Sequence, residues 1–422
     1  MVCALALHGD ARAGDAPAAP AASAPANART FDARRAWSEW TQLLTLDYGY
    51  FQRQNVDGPT ILAHFAPLAV TATTPAEFVA LIQQMARNFA DPHLNVGPAA
   101  PDGPSLVPTA SDLDGDWVGG LFVIREVRTD SDAGRQGVAP GDVVLSIDGR
   151  APAVAVESLL GRPIGALSRE QVAFGLTLAL AGARDRPRHL VVRGRSGIHE
   201  LALRNAGEQA RAVAAAPALT SQRDGSVGII RFNNSLGRED TITAFTSALE
   251  PLLDTRALVI DLRNTPSGGT TTVARGVLGH FVSRERPYQV HVVPGEARRY
   301  GVPRKFVEYV LPIPPFYRGR VIVLGGRWTG SMGEGVVIGF DAIGAQTAGS
   351  PMGRLLGAMF HETLPESGAT VELGEEQLFH VNGTPREKFA PRLRVEPAEA
   401  GPLGDPTMQA VMHALGTSQG RP

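Results

Sequence analysis

The most informative stretch of the sequence is VIVLGGRWTGSMGEG, residues 321–335. Its apolar start predicts a buried strand, and the glycines that follow predict a tight loop. Ser331 then stands where a helix is expected to begin, with Glu334 one turn later. A hydroxyl at that place lies beside free backbone amides and the positive end of the helix dipole, where an oxyanion is stabilised. Ser331 is therefore a candidate nucleophile, although a serine that simply caps a helix fits the same pattern.

Strands and helices of the same kind alternate through the second half of the chain. Two further apolar strands, residues 227–232 and 257–262, are each followed by a segment with helical spacing. Near-continuous apolar strands joined by helices predict βα crossovers and a largely parallel sheet. The loop after the second strand contains Gly268 and Gly269. Their amides supply a further oxyanion donor if that strand neighbours the strand before Ser331.

The composition limits the kind of protein that this chain can be. It has 422 residues, which predicts about three domains. Its 40 basic and 42 acidic side chains give a net charge of -2, so no overall field attracts nucleic acid or anionic lipid. No apolar run is long enough for an integral membrane segment. The single cysteine, Cys3, excludes an intrachain disulfide and a cysteine zinc site.

Residues 1–29 have the pattern of an export leader followed by an Ala/Pro-rich tether. A short apolar stretch precedes the triplet Ala11-Arg12-Ala13, which is typical of a signal-peptide cleavage site. The usual basic residues before the apolar stretch are missing, so either translation starts further upstream or the segment is an Ala-rich leader. A lipid-anchored cysteine is disfavoured, because Val2 stands where a small residue is expected. We expect an exported protein, in a bacterial periplasm or secreted.

Residues 30–116 are predicted to form an N-terminal helical domain. Its clearest helix begins with TPAE at 74–77, where a cap hydroxyl, a proline and a glutamate suit the first turn. Apolar residues then follow at helical spacing and give one buried face. The helix ends just before the tripeptide DPH at 91–93.

Residues 117–205 are predicted to form a small β-rich domain. GGLFVIREV at 119–127 and PGDVVLSIDG at 140–149 flank a glycine-containing turn, and together they resemble a PDZ domain of the bacterial protease type. The resemblance implies that a peptide adds as a strand while a glycine-rich turn binds its C-terminal carboxylate. The corresponding residues are Gly119, Gly120 and Leu121 in the turn, with Phe122 and Ile124 near the side-chain pocket. A β-barrel fragment that binds no peptide is the alternative.

The C-terminal half resembles a known peptidase family. The motifs are DLRN at 261–264 with GG at 268–269, TGSMGE at 329–334 and GAQTAGS at 344–350. Their order is similar to that in the C-terminal processing and tricorn-type serine peptidases. The resemblance implies an α/β fold with a crotonase/Clp-like spiral protease core at 206–422, an N-terminal helical domain and an inserted PDZ-like domain. It also implies Ser331 as nucleophile and an oxyanion hole formed by the amides of Met332 and of Gly268 or Gly269.

The same resemblance implies a general base. One branch of the family uses a lysine downstream of the serine, but that stretch reads TAGSPMGRLLG, and the two lysines, Lys305 and Lys388, lie elsewhere. An arginine cannot accept a hydroxyl proton, because its guanidinium stays protonated. The tricorn-like branch uses a histidine before the PDZ-like domain, which here is His93. Imidazole titrates near neutral pH and suits this role.

Two departures from the family pattern concern the residue that orients the base. Pro92 stands where the tricorn-like branch has a serine, so that hydroxyl is lost and Asp91 is one candidate replacement. Arg392 stands where an aspartate is usual near the late acidic residue of the family. The loose match in that region assigns the acidic role to Glu387. Glu334 is a further candidate for holding either the loop or the histidine.

The sequence thus predicts an exported serine endopeptidase that uses no metal or cofactor and recruits protein or peptide substrates through free C-termini. Metalloprotease chemistry is disfavoured, because the histidines are scattered and no H-E-x-x-H motif occurs. Two alternatives stay open. One is a catalytically inactive homologue of the same fold that binds peptides or hydrophobic ligands, and the other is an esterase or amidase that uses the same serine. The oligomeric state is open, although related cores often form homo-oligomers.

Overall fold

The computed structural model describes residues 30–128, 131–396 and 404–416. The predicted export leader and tether, residues 1–29, lie outside this part of the chain, as does Cys3. Helices and several sheets make a mixed structure, which confirms the predicted α/β class. Among the described residues, no helix has the length and apolar character needed to cross a membrane.

Three helices and three short strands form the N-terminal part. They are α1 (Ala33–Leu46), β1 (Gln52–Arg53), β2 (Val56–Asp57), α2 (Gly58–Ala69), α3 (Pro75–Arg87) and β3 (Asn95–Gly97). The predicted start of α3 is confirmed, because the Thr74 hydroxyl accepts a hydrogen bond from the Glu77 amide. Phe78 is fully buried in the core of this part, together with Leu356 and Leu373 from the far end of the chain. The N-terminal helices are therefore packed onto C-terminal strands.

A five-stranded antiparallel sheet with its own apolar core follows. Its elements and the next helix are β4 (Leu113–Val118), β5 (Leu121–Val127), α4 (Asp132–Arg135), β6 (Val143–Ile147), α5 (Pro152–Leu160), α6 (Arg169–Ala181), β7 (Arg188–Gly194), β8 (Gly197–Leu203) and α7 (Ala206–Ala214). The strands lie in the order β4-β5-β6-β7-β8. Helix α6 begins at a capping box formed by Ser168 and Gln171. It packs on β4, where Leu176 fills the space beside Gly115.

The largest sheet contains the parallel strands that the sequence predicts. The remaining elements are β9 (Leu219–Asp224), β10 (Val227–Phe232), α8 (Asp240–Leu249), β11 (Ala257–Asp261), α9 (Thr271–Leu278), β12 (Arg286–Val293), α10 (Pro294–Tyr300), β13 (Arg304–Val310), β14 (Arg320–Gly325), α11 (Met332–Ala342), β15 (Gln346–Gly349), β16 (Ala358–Thr363), β17 (Thr370–Phe379), β18 (Leu393–Arg394) and α12 (Pro406–Ala414). Six strands lie in the order β18-β15-β14-β11-β10-β9, and all neighbours except β9 and β10 are parallel. Helices α8, α9 and α11 cover one face of this sheet, and α12 covers the other.

A further sheet joins the two ends of the chain. Its strands lie in the order β13-β12-β17-β16, and β3 pairs with β17. Val96 lies opposite Val371 in this pairing, which attaches the segment just after His93 to the C-terminal half. Sequence analysis did not predict this sheet, because strands such as β17 contain several glutamates and lack clear apolar alternation.

A buried ion pair in the five-stranded part gives a test of this packing. Two nitrogens of Arg188 lie 2.7 and 3.0 Å from the carboxylate oxygens of Asp112. The exposed fractions of these side chains are 2% and 1%. Asp112→Ala leaves the buried guanidinium without its partner, so we expect the free energy of unfolding to fall by about 3–5 kcal/mol. Urea denaturation measures this change.

The control for this test is Asp254→Ala, which removes one partner of the exposed Arg223–Asp254 pair. We expect no measurable change there, because solvent screens exposed pairs. An equal loss of stability in the two variants would contradict a special role for the buried pair.

Candidate active site

Ser331 lies at the edge of the large sheet where two neighbouring parallel strands end. Ala257 of β11 lies opposite Arg320 of β14, so the loops after these strands leave at the same edge. Ser331 directly precedes α11, and its backbone has a φ of 51° and a ψ of -117°. Few residues other than glycine adopt such a conformation, because the side chain crowds the backbone. The fold therefore holds Ser331 in a strained turn at a helix N-terminus.

Two glycines of the loop after β11 have no room for a side chain, and one of them packs on this turn. A side-chain carbon at Gly268 would lie 2.4 Å from Ser331 Cβ and 2.6 Å from the Met332 nitrogen. One at Gly269 would lie 1.9 Å from the carbonyl carbon of Leu236. Only glycine fits at either position, since each distance is shorter than a van der Waals contact. Among the described residues, no hydrogen bond engages the amides of Met332 or Gly269. Met332 and Gly268, both predicted for the oxyanion hole, are thus close to Ser331.

Glu334 ties the Ser331 turn to a second segment. Its carboxylate accepts hydrogen bonds from the amides of Ser331 at 3.0 Å, Arg354 at 2.8 Å and Leu355 at 3.1 Å. The side chain has no exposed surface, and burial raises its pKa to about 7. A nitrogen of Arg386 lies 4.0 Å from the same carboxylate. Glu334 therefore holds the loop, which is one of the two roles considered for it.

His93 is buried and held through its ring and its backbone. Its Nδ1 lies 3.0 Å from the carbonyl oxygen of Leu356, so Nδ1 carries the proton and Nε2 is left as the acceptor. Burial, with a contribution from nearby Arg386, lowers the pKa of His93 to about 4. The His93 amide donates to Asp91, which also accepts a hydrogen bond from the Tyr48 hydroxyl at 2.8 Å. Asp91 thus binds the backbone of His93 and not its ring.

The segment 354–357 connects the two candidate catalytic side chains. Its amides bind Glu334, and the next carbonyl, that of Leu356, binds His93. Arg386 also binds the segment, since one of its nitrogens donates to the carbonyls of Leu355 at 3.0 Å and Gly357 at 2.9 Å. Within the described residues, however, no hydrogen bond joins His93 to the nucleophile candidate.

Comparison with known proteins identifies the fold. No model of a protein family matches the chain, and no curated protein matches its sequence. The photosystem II D1 C-terminal processing protease is similar over 87% of this chain and 93% of its own, with a TM-score of 0.54 and 16% identity. Mature CPAF is similar over 86% of this chain and 92% of its own, with a TM-score of 0.58 and 16% identity. The chain has the fold of the C-terminal processing proteases. The predicted resemblance to that family is therefore confirmed in the fold.

The two late residues considered for orienting the base, Glu387 and Arg392, lie in the connection between β17 and β18. Glu387 follows Arg386 in a short helical turn, and one of its carboxylate oxygens is buried without a partner among the described residues. Burial raises the pKa of Glu387. Arg392 binds both oxygens of Asp341 at the C-terminal end of α11, at 2.6 and 2.9 Å. Neither residue has a hydrogen bond to His93, so its part in orienting the base stays a prediction.

Sequence analysis missed the contacts that hold the nucleophile loop from the side of the five-stranded sheet. Arg327 Nε lies 2.7 Å from Asp114, and Trp328 Nε1 donates to the carbonyl of Ser111 at 2.9 Å. A signal for the ion pair exists in the sequence, because DLDGDW at 112–117 places two acidic residues in β4 and a third just before it. Buried carboxylates need cationic or hydrogen-bonding partners. The partner itself could not be named without the fold.

The residues predicted to bind a peptide lie in a β-hairpin. Gly119 and Gly120 have φ values of 58° and 82° and form the two-residue turn between β4 and β5. The strand β5, with Leu121 and Phe122 at its start, lies between β4 and β6. Of the two edge strands of this sheet, β4 and β8, only β4 belongs to the hairpin, and its Gly115 amide already donates to the Thr177 hydroxyl at 3.1 Å. Binding of a carboxylate by the hairpin turn stays a prediction.

The described residues contain no group of three or more His, Cys, Asp or Glu side chains that could hold a metal ion.

Burial of His93 predicts an acid-sensitive stability. The unfolded residue titrates near pH 6.5, whereas the folded residue has a pKa of about 4. Between these values the unfolded chain binds more protons, so the free energy of unfolding falls by about 3 kcal/mol as the pH drops through this range. His93→Gln removes the titration, and we expect its stability to change less with pH. Urea denaturation between pH 7 and pH 4 provides the measurement.

The matched control is His199→Gln, which changes an exposed histidine on β8. It should follow the pH dependence of the wild-type protein. Identical pH dependence in wild type and His93→Gln would show that the imidazole is not buried in its neutral form.

Proposed function

We propose that this protein is a serine endopeptidase of the C-terminal processing type, which cleaves protein or peptide substrates through an acyl-enzyme on Ser331. The observation that carries this proposal is the strained Ser331 turn, with Gly268 packed on it and with no hydrogen bond from the described residues to the amides of Met332 and Gly269. A serine that only caps a helix requires neither a strained backbone nor a glycine turn against its Cβ. The arrangement is what acyl transfer requires.

In the proposed reaction the Ser331 hydroxyl attacks the carbonyl carbon of the scissile peptide bond and passes its proton to Nε2 of His93. The low pKa of His93 keeps its imidazole neutral at pH 7, so Nε2 is available as a base. The amides of Met332 and Gly269 bind the oxyanion. Gly269 is chosen over Gly268 because the Gly268 amide already donates to the carbonyl of Thr265 at 3.3 Å. His93 then gives the proton to the leaving amine, and water hydrolyses the acyl-enzyme with the same base.

The proposed reaction includes a closing step. Ser331 and His93 are not hydrogen bonded, and proton transfer requires their reacting atoms to come within about 3 Å of each other. The movement would have to occur after Leu355, because the Leu355 amide is bound by Glu334 whereas the Leu356 carbonyl binds His93. Glu334 and Arg386 act in this scheme as positioning residues.

We further propose that the five-stranded sheet is a PDZ-like recognition unit and that the large sheet with its helices is the spiral protease core. Five antiparallel strands with helix α6 beside β4 support the first assignment. A substrate strand added to β4 would compete with the Thr177 hydroxyl for the Gly115 amide. Export of the protein, proposed from the leader-like residues 1–29, is consistent with this function.

A second candidate function is a binding protein that does not cleave its ligand. It is favoured by the missing hydrogen bond between Ser331 and His93 and by Pro92, which has no hydroxyl to support the base. In that case the glycine turn around Ser331 would bind the carbonyl of a peptide without further reaction. The two functions differ in the reactivity of one hydroxyl.

A fluorophosphonate probe measures that reactivity directly. We expect labelling of the wild-type protein and none of Ser331→Ala, because the probe reacts only with an activated serine. His93→Ala should label at least about 100-fold more slowly, since general-base catalysis contributes about that much. Mass spectrometry locates the label. Labelling that survives Ser331→Ala would refute the nucleophile, and an unlabelled wild-type protein would favour the binding function.

Gly268→Ala tests the oxyanion hole. The added methyl group would collide with Ser331 Cβ and the Met332 amide, so we expect the labelling rate to fall by about 100-fold to 1000-fold. The control is Gly165→Ala, whose added methyl group meets no atom within 4 Å. Equal labelling rates in the two variants would mean that the glycine turn takes no part in the reaction.

A further inference from the structure

A cavity of about 300 Å³ lies beside the His93 segment, between the N-terminal helices and the five-stranded part. Its wall includes Asp91 and Pro92, the end of α3, the connection 99–107 and one side of α6. The residues that give it chemical character are Arg87, Ser105, Phe174, Leu178 and Arg184. None of them belongs to the predicted hairpin site, and its volume is at the small end of the range for ligand pockets.

Two arginines face this cavity without a carboxylate partner. Arg87 donates to the carbonyl of Leu159 at 3.2 Å, and Arg184 donates to the carbonyl of Pro104 at 2.9 Å. Neither has an ion pair with any acidic residue that the structure describes. Burial and the nearby charge of Arg184 lower the pKa of Arg87 to about 10. Two close positive charges without an anion repel each other, and a bound anion would offset this repulsion.

The two acidic residues that line the cavity, Asp91 and Glu372, bind other groups and have no ion pair with either arginine. The carboxylate of Glu372 lies 3.4 Å from the side-chain nitrogen of Asn95 and 3.7 Å from a ring nitrogen of His361. Asp91 accepts hydrogen bonds from Tyr48 and from the backbone of the His93 segment. The positive charge of the two arginines is therefore not compensated by the acidic residues of the lining.

A buried hydroxyl provides a second and independent indication of a ligand. Ser105 is 2% exposed, and its Oγ has no hydrogen-bond partner among the described residues. The Ser105 backbone is held in place, since its amide donates to the carbonyl of Gly182 at 2.8 Å. Buried polar groups without a partner are rare and costly. A ligand oxygen in the cavity would satisfy this hydroxyl.

Apolar side chains form part of the remaining wall. Phe174 and Leu178 of α6 line it, and they pack in the same cluster as Val107. Leu106 lies at the cavity and is 43% exposed. An anion that binds the two arginines would therefore have an apolar group beside it. A carboxylate next to an apolar side chain is the chemistry of a peptide C-terminal residue.

We propose that this cavity binds the free C-terminal carboxylate of a peptide whose last side chain is apolar. Arg87 and Arg184 donate charge-assisted hydrogen bonds to the carboxylate, Ser105 donates its hydroxyl, and Phe174 and Leu178 contact the side chain. This inference depends on the proposed function in one respect, which is that the ligand is taken to be a peptide. It requires no reaction at Ser331.

The test uses the full chain with Ser331→Ala, so that no turnover occurs whether or not the protein is a peptidase. Fluorescein-labelled Ala-Ala-Leu with a free terminal carboxylate is compared with its C-terminal amide by fluorescence anisotropy. We expect the acid to bind at least 10-fold more tightly than the amide. Arg87→Gln and Arg184→Gln should each lower the affinity for the acid peptide by about 10-fold or more, because each removes one charge-assisted contact. The affinity for the amide peptide should not change.

Matched variants show whether the two cavity arginines themselves bind the carboxylate. Arg186→Gln changes an exposed arginine close to Arg184 that pairs with Asp185 and Asp102, and it should leave acid binding unchanged. Arg87→Lys keeps the charge and should recover part of the affinity. Circular dichroism checks that each variant is folded.

Three results would overturn the proposal. Acid and amide peptides could bind equally, or both Arg→Gln variants could bind the acid like the parent protein. Alternatively, Leu121→Ser could abolish the preference for the acid peptide over the amide peptide, while the arginine variants retain that preference. That result would place the carboxylate site at the hairpin. A failure of fluorophosphonate labelling affects none of these outcomes, so the peptidase proposal and the binding site can fail separately.

Discussion

The candidate active site depends on one buried carboxylate. The side chain of Glu334 has no exposed surface, and it accepts amide hydrogen bonds from the Ser331 turn and from residues 354 and 355. Removing a carboxylate from water is costly unless such bonds replace its hydration. The two segments must therefore stay together for Glu334 to be accommodated. The carbonyl of Leu356, the next residue along, binds His93. The carboxylate of Glu334 therefore relates the position of the proposed nucleophile to that of the proposed base.

The loop that precedes Ser331 is also held from outside the large sheet. Arg327 and Trp328, which lie between β14 and Ser331, are bound by Asp114 and Ser111 of the five-stranded part. A second contact connects the same two regions, where the Ser350 hydroxyl donates to Glu126 at 2.7 Å. Because these bonds are buried, a displacement of β4 would move the loop that precedes Ser331. The five-stranded sheet is thus part of the support of the site and not an independent attachment.

The fold alone does not establish the chemistry. The two similar structures share 16% of their residues with this chain, and one fold can host several functions. The case for a peptidase therefore rests on local geometry: a strained serine, glycines that tolerate no side chain, and a neutral buried imidazole. The case against immediate activity also rests on geometry, because the serine and the imidazole are not hydrogen bonded. The proposed closing movement would reconcile these two observations.

Local sequence patterns were sufficient for the class of the fold and for the turn at Ser331. Strand and helix periodicity, helix caps and glycine pairs are interactions within a few residues, so α3, β11, β14 and α11 could be predicted from the chain. The partners of these elements could not. The His93 ring and its acceptor carbonyl are 263 positions apart, and the pairing of β3 with β17 depends on packing across the whole molecule. Only the folded chain shows that Leu356 binds the imidazole and that Arg87 and Arg184 line one cavity. Such contacts form when distant surfaces are buried against each other, and the local sequence of one surface does not specify its partner.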